Sequence, residues 1–266
     1  MIDYHIHSNF SEDSNVSMED ICLRAIELGI REIAFTDHMD IDYSYMGHSF
    51  QIKDLDAYMK NIEAVQQRFK GQLIIKKGVE IGLQPQILDK CSKLVSSYPF
   101  DFVIASVHLI NGVDPYLGDY YRIRSKEESY IHYYREILPL VEEYSDFSVL
   151  GHLDYVKRYS PYPHQPDDTF IGIDIVDEIF KILIDKNKGI ELNTSGYHQP
   201  FNRSMPDIQL IKRYRELGGK IITIGSDAHR KEHIGFGLER AIKELQSIGF
   251  DQVYSFTRLV PIPVRL

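Results

Sequence analysis

Cysteine, basic charge and long apolar runs are all scarce in this sequence, and each shortage argues against a class of protein. The two cysteines, Cys22 and Cys91, lie far apart in two predicted helices, which argues against a disulfide framework and a cysteine metal site. Lys and Arg number 30 against 39 Asp and Glu, and the resulting net charge of −9 repels nucleic-acid backbones. No apolar run approaches membrane length, and no signal-peptide pattern precedes the first strand. We therefore expect a cytoplasmic protein without a nucleic-acid or membrane partner.

What the sequence does contain is a regular alternation of short apolar runs with longer amphipathic segments. The predicted strands are IDYHIH, EIAFTDH, QLIIKKGVEIG, FDFVIASVH, FSVLGH, GIELNTSG and KIITIGSDAH. Seven helical patterns lie between or after them, and Ser17 stands where a residue would cap the first. Strand–helix alternation favours a parallel sheet with helical crossovers. Seven such repeats without a linker predict one α/β domain over 1–266, folded as a closed or nearly closed barrel, with a long loop at 155–168.

Metal-binding residue types stand at or near the ends of six of the seven predicted strands. They are His5 and His7, Asp37 and His38, Glu80, His108, His152, and Asp227 with His229. In parallel barrels the working groups lie at the C-terminal ends of the strands, so these remote residues should meet at one mouth. A single strand-end histidine is more often structural, but this coincidence favours a metal site.

The number and type of these strand-end residues indicate how many metal ions they bind and which reaction they support. A catalytic zinc ion takes about three protein ligands, so this set is too large for one ion. Imidazole with carboxylate suits Zn, Mn or Fe, and we expect two to three divalent ions. Clustered ions activate water and stabilise displacement at phosphorus, which makes phosphoester hydrolysis the leading chemistry.

The same residues resemble the motifs of the polymerase and histidinol phosphatase (PHP) superfamily. The motifs are HIH at 5–7, TDH at 36–38, the glutamate of GVE at Glu80, the histidine of SVH at His108, GHLD at 151–154 and GSDAH at 225–229. The resemblance implies a distorted TIM-like (β/α)7 barrel with the metal site at the C-terminal ends of its strands.

The resemblance also implies how the ligands divide among three ions. His5, His7, Glu80 and Asp227 would hold the first, and Glu80 would bridge to a second ion on His108 and His152. His38 and His229 would hold the third together with Asp13, where some relatives have histidine, and Glu12 is the neighbouring alternative. Asp37 would orient a ligand.

GHLDYVKRY and ELNTSG resemble the stand-alone histidinol-phosphate phosphatase branch of that superfamily. The implied activity is hydrolysis of L-histidinol phosphate to L-histidinol and phosphate, in histidine biosynthesis, by attack of a metal-bridging hydroxide. Glu80 and Asp227 would take part through the ions, and Arg158 and Arg203 would grip phosphate oxygens. The alternative is a PHP phosphoesterase acting on nucleotides, oligonucleotides or phosphotyrosine. A protein whose metal ions only hold the fold or sense metal supply is a third hypothesis.

The remaining polar residues near the motifs have less defined roles. Glu12, Asp40, Asp42 and Asp154 are candidates for the ammonium and imidazole of the substrate, and Tyr116, Tyr197 and His198 for the pocket wall. Arg230 and His233 are weaker site candidates. We expect His48, His132 and His164 to lie outside the site, and the sequence leaves the oligomeric state open.

Overall fold

The computed structural model describes residues 1–43 and 47–266, which contain ten strands and eight α-helices. The strands are β1 (Ile2–Ile6), β2 (Glu32–Phe35), β3 (His38–Met39), β4 (Ile74–Gly82), β5 (Phe102–Ser106), β6 (Val149–Leu150), β7 (Gly189–Asn193), β8 (Ile222–Gly225), β9 (Gln252–Thr257) and β10 (Val260–Arg265). The helices are α1 (Met18–Glu27), α2 (Leu55–Arg68), α3 (Leu88–Ser97), α4 (Lys126–Glu143), α5 (Tyr155–Arg158), α6 (Ile173–Asp185), α7 (Ile208–Glu216) and α8 (Leu238–Ser247). Short 3-10 helices cover Pro85–Ile87, Pro115–Leu117, Asp119–Tyr121, Pro166–Phe170, Ser195–His198 and Lys231–His233.

Seven parallel strands form the barrel, in the order β1-β2-β4-β5-β6-β7-β8. The sheet closes because the segment after β8 hydrogen-bonds to β1, with the Asp227 amide donating to the His5 carbonyl over 2.7 Å and the His7 amide to the Ala228 carbonyl over 3.0 Å. The predicted seven-stranded, nearly closed α/β barrel is thereby confirmed. Strands β5 to β7 are buried along their whole length, as expected for a sheet covered on both faces.

Local sequence signals explain several of the helices around the barrel. The Ser17 hydroxyl accepts from the Asp20 amide and caps α1, as predicted. Ser125 and Glu128 form a capping box at the start of α4. Cys22 lies in α1 and Cys91 in α3, and both thiols are buried and free. Of the helices that the structure describes, none is long and apolar enough to cross a membrane.

The C-terminal hairpin of β9 and β10 was not predicted. Its strands pair in antiparallel register from Val260 opposite Thr257 to Arg265 opposite Gln252. Phe256 packs against the rings of Tyr4 and Phe102, and the Leu259 amide donates to the carbonyl of Asp101, just before β5. The hairpin therefore packs at the N-terminal end of β5, away from the strand ends that carry the motifs.

Two further differences from the sequence prediction lie near the strand ends. The two-residue strand β3 follows β2 and pairs with β4, so that His38 stands opposite Glu80. The predicted loop at 155–168 is wrong at both ends, because residues 155–158 form α5 and the 3-10 helix Pro166–Phe170 begins before the loop was expected to end. Helix α5 follows β6 so closely that Arg158 is held at the mouth of the barrel.

Candidate metal centre

The C-terminal ends of the barrel strands bring the predicted ligands together around one pocket of about 690 Å³. His5, His7, Glu80 and His152 are almost fully buried, while Asp13 and His229 lie nearer to solvent. The rings of His5 and His7 are 5.0 Å apart, since alternate residues of a strand face the same side. A groove of about 750 Å³ beside α8 is larger, but none of the predicted ligands lines it.

The first ligand group meets the pocket through Glu80 and Asp227, which line it, while His5 and His7 are fully buried. The Glu80 Oε2 atom is 3.4 Å from His5 Nε2 and 3.6 Å from His7 Nε2. The Asp227 Oδ1 atom is 3.6 Å from His5 Nε2 and 3.4 Å from His7 Nε2. A tetrahedral ion with bonds of about 2.1 Å separates its ligand atoms by about 3.4 Å, and these four nitrogen–oxygen distances are close to that value.

Glu80 also belongs to a second group through its other oxygen. Its Oε1 atom is 3.0 Å from His152 Nε2 and 3.4 Å from His108 Nε2. The two imidazole nitrogens are themselves 3.4 Å apart. With Oε2 in the first group and Oε1 in the second, the Glu80 carboxylate has the geometry of a bridge between two ions.

A third group lies toward solvent and includes Asp13. The Asp13 Oδ2 atom is 3.1 Å from His229 Nε2 and 3.6 Å from His38 Nε2, and these two nitrogens are 3.4 Å apart. Glu12 is turned away, because its carboxylate accepts from the Ser49 amide and lies 3.1 Å from His48 Nδ1. Asp13, rather than Glu12, is the carboxylate that reaches His38 and His229.

Several atoms in or beside these groups are buried without a well-directed hydrogen bond to the residues that the structure describes, although His38 Nδ1 lies 2.9 Å from Glu80 Oε2. They are the Nε2 atoms of His5 and His7, the Nδ1 atom of His38, and Glu80 Oε2 and Asp40 Oδ2. Leaving one such buried polar group unsatisfied costs about 1–3 kcal/mol, so a cluster of them requires a common partner. Imidazole nitrogens and carboxylate oxygens converging in this way fit divalent metal ions.

In three ligand histidines, Nδ1 is the ring nitrogen that faces away from the other ligands, and a buried oxygen lies within hydrogen-bond distance of it. The Nδ1 atom of His5 is 2.6 Å from Glu191 Oε1, and that of His108 is 2.8 Å from Asp40 Oδ1. His7 Nδ1 is 3.1 Å from the Ser11 hydroxyl, which donates to Asp37. When Nδ1 carries the proton, Nε2 keeps its lone pair for an ion.

Only Asp37 was predicted among these orienting groups, and it acts on His7 through Ser11. Glu191 and Ser11 were missed, and Asp40 was considered only for substrate binding. The sequence signal for Glu191 was a carboxylate inside an otherwise apolar, buried strand, GIELN.

The electrostatics of the cluster favour positive charge at its centre. Burial alone would raise the pKa of Glu80, but His5, His38 and His108 outweigh it and hold that pKa well below the usual range. Burial alone would lower the pKa of His5, but Glu191, Glu80 and Asp227 raise it well above its usual value. The carboxylates therefore stabilise cations at this position, whether protons or metal ions.

The structure places one of the two predicted arginines at the pocket. Arg158, at the end of α5, donates to Asp227 Oδ2 over 3.0 Å and to the Ser195 hydroxyl over 3.3 Å. Arg203 is not brought there: its guanidinium donates to Asp207 over 3.1 Å and lines a separate small cavity. The N-cap carboxylate of α7 holds Arg203, which explains the difference.

Other predicted positions are divided between the pocket and its surroundings. Arg230, His233, His198, Tyr116 and, contrary to prediction, His48 line the pocket. His132 and His164 lie elsewhere, beside Tyr120 and Phe201, and Tyr197 hydrogen-bonds to Glu244. Asp42 pairs with Lys90, and Asp154 accepts from the Asp207 amide beneath α5.

Several known proteins are similar to this chain in both sequence and fold. Residues 3–195 match the PHP domain family. The chain is 34% identical to the histidinol-phosphatase of Lactococcus lactis subsp. lactis over 96% of this chain and 94% of that protein. It is 31% identical to the probable histidinol-phosphatase of Clostridium acetobutylicum over 98% of each. A crystal structure of the Lactococcus lactis histidinol phosphate phosphatase, complexed with Zn, L-histidinol and phosphate, matches with a TM-score of 0.89 and 32% identity over 98% of both chains. The chain therefore belongs to the PHP family and to its stand-alone histidinol phosphatase branch.

Proposed function

We propose that this protein is a metal-dependent phosphomonoesterase that hydrolyses L-histidinol phosphate to L-histidinol and phosphate, a late step of histidine biosynthesis. One observation carries the proposal: three groups of ligand atoms with metal-site spacing surround one pocket, and the Arg158 guanidinium lies beside them. The chain is also similar over nearly its full length to proteins named histidinol-phosphatase, one of which binds histidinol and phosphate.

The ligand groups fit two to three divalent ions. His5, His7, Glu80 and Asp227 would hold the first, Glu80, His108 and His152 the second, and Asp13, His38 and His229 the third. Zn, Mn or Fe suits this mixture of imidazole and carboxylate, and the Lactococcus lactis structure contains Zn. When bound, such ions lower the pKa of water and neutralise the charge that develops on a phosphoryl group.

The chain's own residues position the reacting groups. The Glu80 carboxylate sets the spacing of the first two groups, because its two oxygens face different histidine pairs. Arg158 holds Asp227 Oδ2 while the opposite oxygen, Oδ1, faces His5 and His7. The same guanidinium lines the pocket, where its free N–H groups donate to oxygens of a bound phosphate. Arg158 thus serves both as an anchor for a ligand and as a phosphate donor.

A substrate panel tests the proposal. Phosphate release would be measured from L-histidinol phosphate, nucleoside monophosphates, sugar phosphates and phosphotyrosine, with Mn²⁺ or Zn²⁺ supplied. We expect a kcat/KM for L-histidinol phosphate far above the rest. Higher turnover of nucleotides or phosphotyrosine would move the substrate to the alternative hypothesis. A metal-loaded, folded sample without any phosphatase activity would overturn both.

A histidine pair supplies the matched control for that assay. His108→Ala removes a predicted ligand, whereas His132→Ala removes a histidine of α4 that lies beside Tyr120 and Glu136. Loss of activity in the first variant only would tie turnover to the ligand cluster. Equal effects in both variants would contradict the assignment of the site.

A further inference from the structure

Two buried carboxylates of the pocket, Asp40 and Asp114, belong to none of the three ligand groups, and of these two Asp114 has no histidine beside it. Asp114 follows β5, is 3% exposed and lines the same pocket as the ligands. The other carboxylates of the pocket outside those groups have cationic or titratable partners, since Glu12 lies beside His48 and Asp40 beside His108. Asp114 therefore differs from Glu12 in its burial and from both carboxylates in its surroundings.

Neutral donors hold the Asp114 carboxylate. Its Oδ2 atom accepts from the Tyr43 hydroxyl over 2.9 Å, and Oδ1 accepts from the Tyr116 amide over 2.8 Å and the Tyr155 hydroxyl over 3.2 Å. No Lys, Arg or His of the described ranges forms an ion pair with it, and residues 44–46, Ser-Tyr-Met, carry no charge. Burial raises the pKa of Asp114 and outweighs its hydrogen bonds and the more distant His108 imidazole, which lower that pKa.

A buried, ionised carboxylate without a cation is costly unless a ligand supplies one. An ionised carboxylate offers about four acceptor sites, and the three donors leave one for a further N–H group. That requirement is met by a protonated amine, which brings both the positive charge and the missing donor.

Tyr155 fixes the position of Asp114 relative to the ligand groups. Its ring centroid is 5.3 Å from that of His108 and 5.2 Å from that of His152, and its hydroxyl reaches Asp114. The carboxylate therefore lies one tyrosine ring away from the second ligand group. A phosphate ester bound at that group would have to extend past Tyr155 for an amine on the carbon next to its ester CH₂ to meet Asp114.

We infer that Asp114 binds the protonated primary amine of the substrate and so selects phosphate monoesters of amino alcohols. This inference rests on the proposed function for the identity of the substrate, but it concerns one contact only. Tyr43 and Tyr155 position the carboxylate, and Asp114 supplies the charge that distinguishes an amine-bearing ester from a neutral one.

The test compares matched substrates on Asp114→Asn, whose amide oxygen still accepts hydrogen bonds at this position. The substrates are L-histidinol phosphate with its desamino analogue, and 2-aminoethyl phosphate with propyl phosphate. We expect kcat/KM for each amine substrate to fall about 10- to 100-fold, the range for a lost hydrogen bond to a charged group. The desamino substrates should change little, and the metal content should stay the same.

Glu178→Gln is the control, because it neutralises an exposed carboxylate of α6 that does not line the pocket and should keep the amine preference. Asp114→Glu keeps the charge, so the preference should persist even if the longer side chain lowers kcat/KM for both substrates. An equal loss on amine and desamino substrates in Asp114→Asn would make Asp114 a structural residue and overturn the inference. An unchanged preference would overturn it as well.

The same measurements would give a different result if the proposed function were wrong. If the wild-type protein does not favour L-histidinol phosphate, the pair of 2-aminoethyl phosphate and propyl phosphate still reports on Asp114. A preference for the amine that disappears only in Asp114→Asn would then support the contact while the substrate assignment fails.

Discussion

Glu191→Gln should weaken metal binding without disturbing the fold. The Glu191 Oε1 atom is 2.6 Å from His5 Nδ1, and Oε2 accepts from the His152 amide over 3.0 Å and from the Asn193 side chain over 3.2 Å. One carboxylate therefore orients elements that carry ligands of the first and second groups. Glutamine offers one acceptor oxygen in place of two, so one of these contacts would face an NH₂ group instead.

The expected magnitude follows from the role of Glu191 as a partner of a ligand. Loss of such a partner costs about 10- to 100-fold in metal affinity, or about 1.4–2.7 kcal/mol. The negative charge also makes the His5 imidazole a better donor to an ion, and the substitution removes that charge. We expect apparent Kd values for Mn²⁺ or Zn²⁺ to rise by this factor, measured by titrating the metal-free protein against a competing chelator.

Glu178→Gln provides the control, since Glu178 is an exposed carboxylate of α6. The circular dichroism spectra of both variants should match that of the wild type. A Glu191→Gln protein that binds metal within about twofold of the wild type would refute the reasoning. Equal weakening in Glu178→Gln would show that the effect arises from overall charge rather than from the contact with His5.

Three other substitutions test separate parts of the structure. His108→Ala should lower kcat more than about 100-fold and reduce the number of ions bound per chain; full metal content would contradict the second ligand group. Arg158→Ala should lower kcat/KM by up to about 100-fold even when excess metal keeps the ions bound, while Arg203→Ala stays near the wild-type value. Similar losses in both variants would contradict the placement of Arg158 at the pocket and of Arg203 outside it. The pKa of buried Asp154 is raised to about 6, because burial outweighs Lys157. Its charging therefore reduces stability as the pH rises from about 4 to 7, by up to about 3 kcal/mol, and Asp154→Asn should gain that much relative to the wild type over this range in denaturant unfolding. If the difference in unfolding free energy between Asp154→Asn and the wild type does not vary with pH, the raised pKa of Asp154 is ruled out as its cause.

The strand ends show how much of the site the sequence could reveal. The sequence predicts a strand through positions 5 and 7, whose side chains would share a face; His5 lies in β1 and His7 directly follows it, and the two rings do converge. The alternation of strands and helices predicts a parallel barrel, and the C-terminal strand ends of such a barrel meet at one mouth. The predicted strand-end ligands therefore follow from local pattern and topology together, whereas Asp13 follows only from the resemblance to the PHP superfamily.

Other features depend on contacts between remote segments, which a single sequence does not encode locally. Arg158 and Arg203 both follow strands, but the N-cap Asp207 binds Arg203 while Arg158 reaches Asp227. The hairpin of β9 and β10 has an apolar pattern like any surface strand pair, and its place is set by the packing of Phe256 on Tyr4 and Phe102.

The sequence by itself determined the class of fold, the ligand residue types and their common location, because these depend on periodicity and on the order of elements. Only the tertiary structure decided which oxygen of Glu80 faces which histidine pair, that Asp13 rather than Glu12 reaches His38, and that Asp114 forms no ion pair within residues 1–43 and 47–266. These distinctions are differences of a few ångströms between side chains distant in the chain. They arise from how the loops pack on the barrel, which local sequence patterns do not specify.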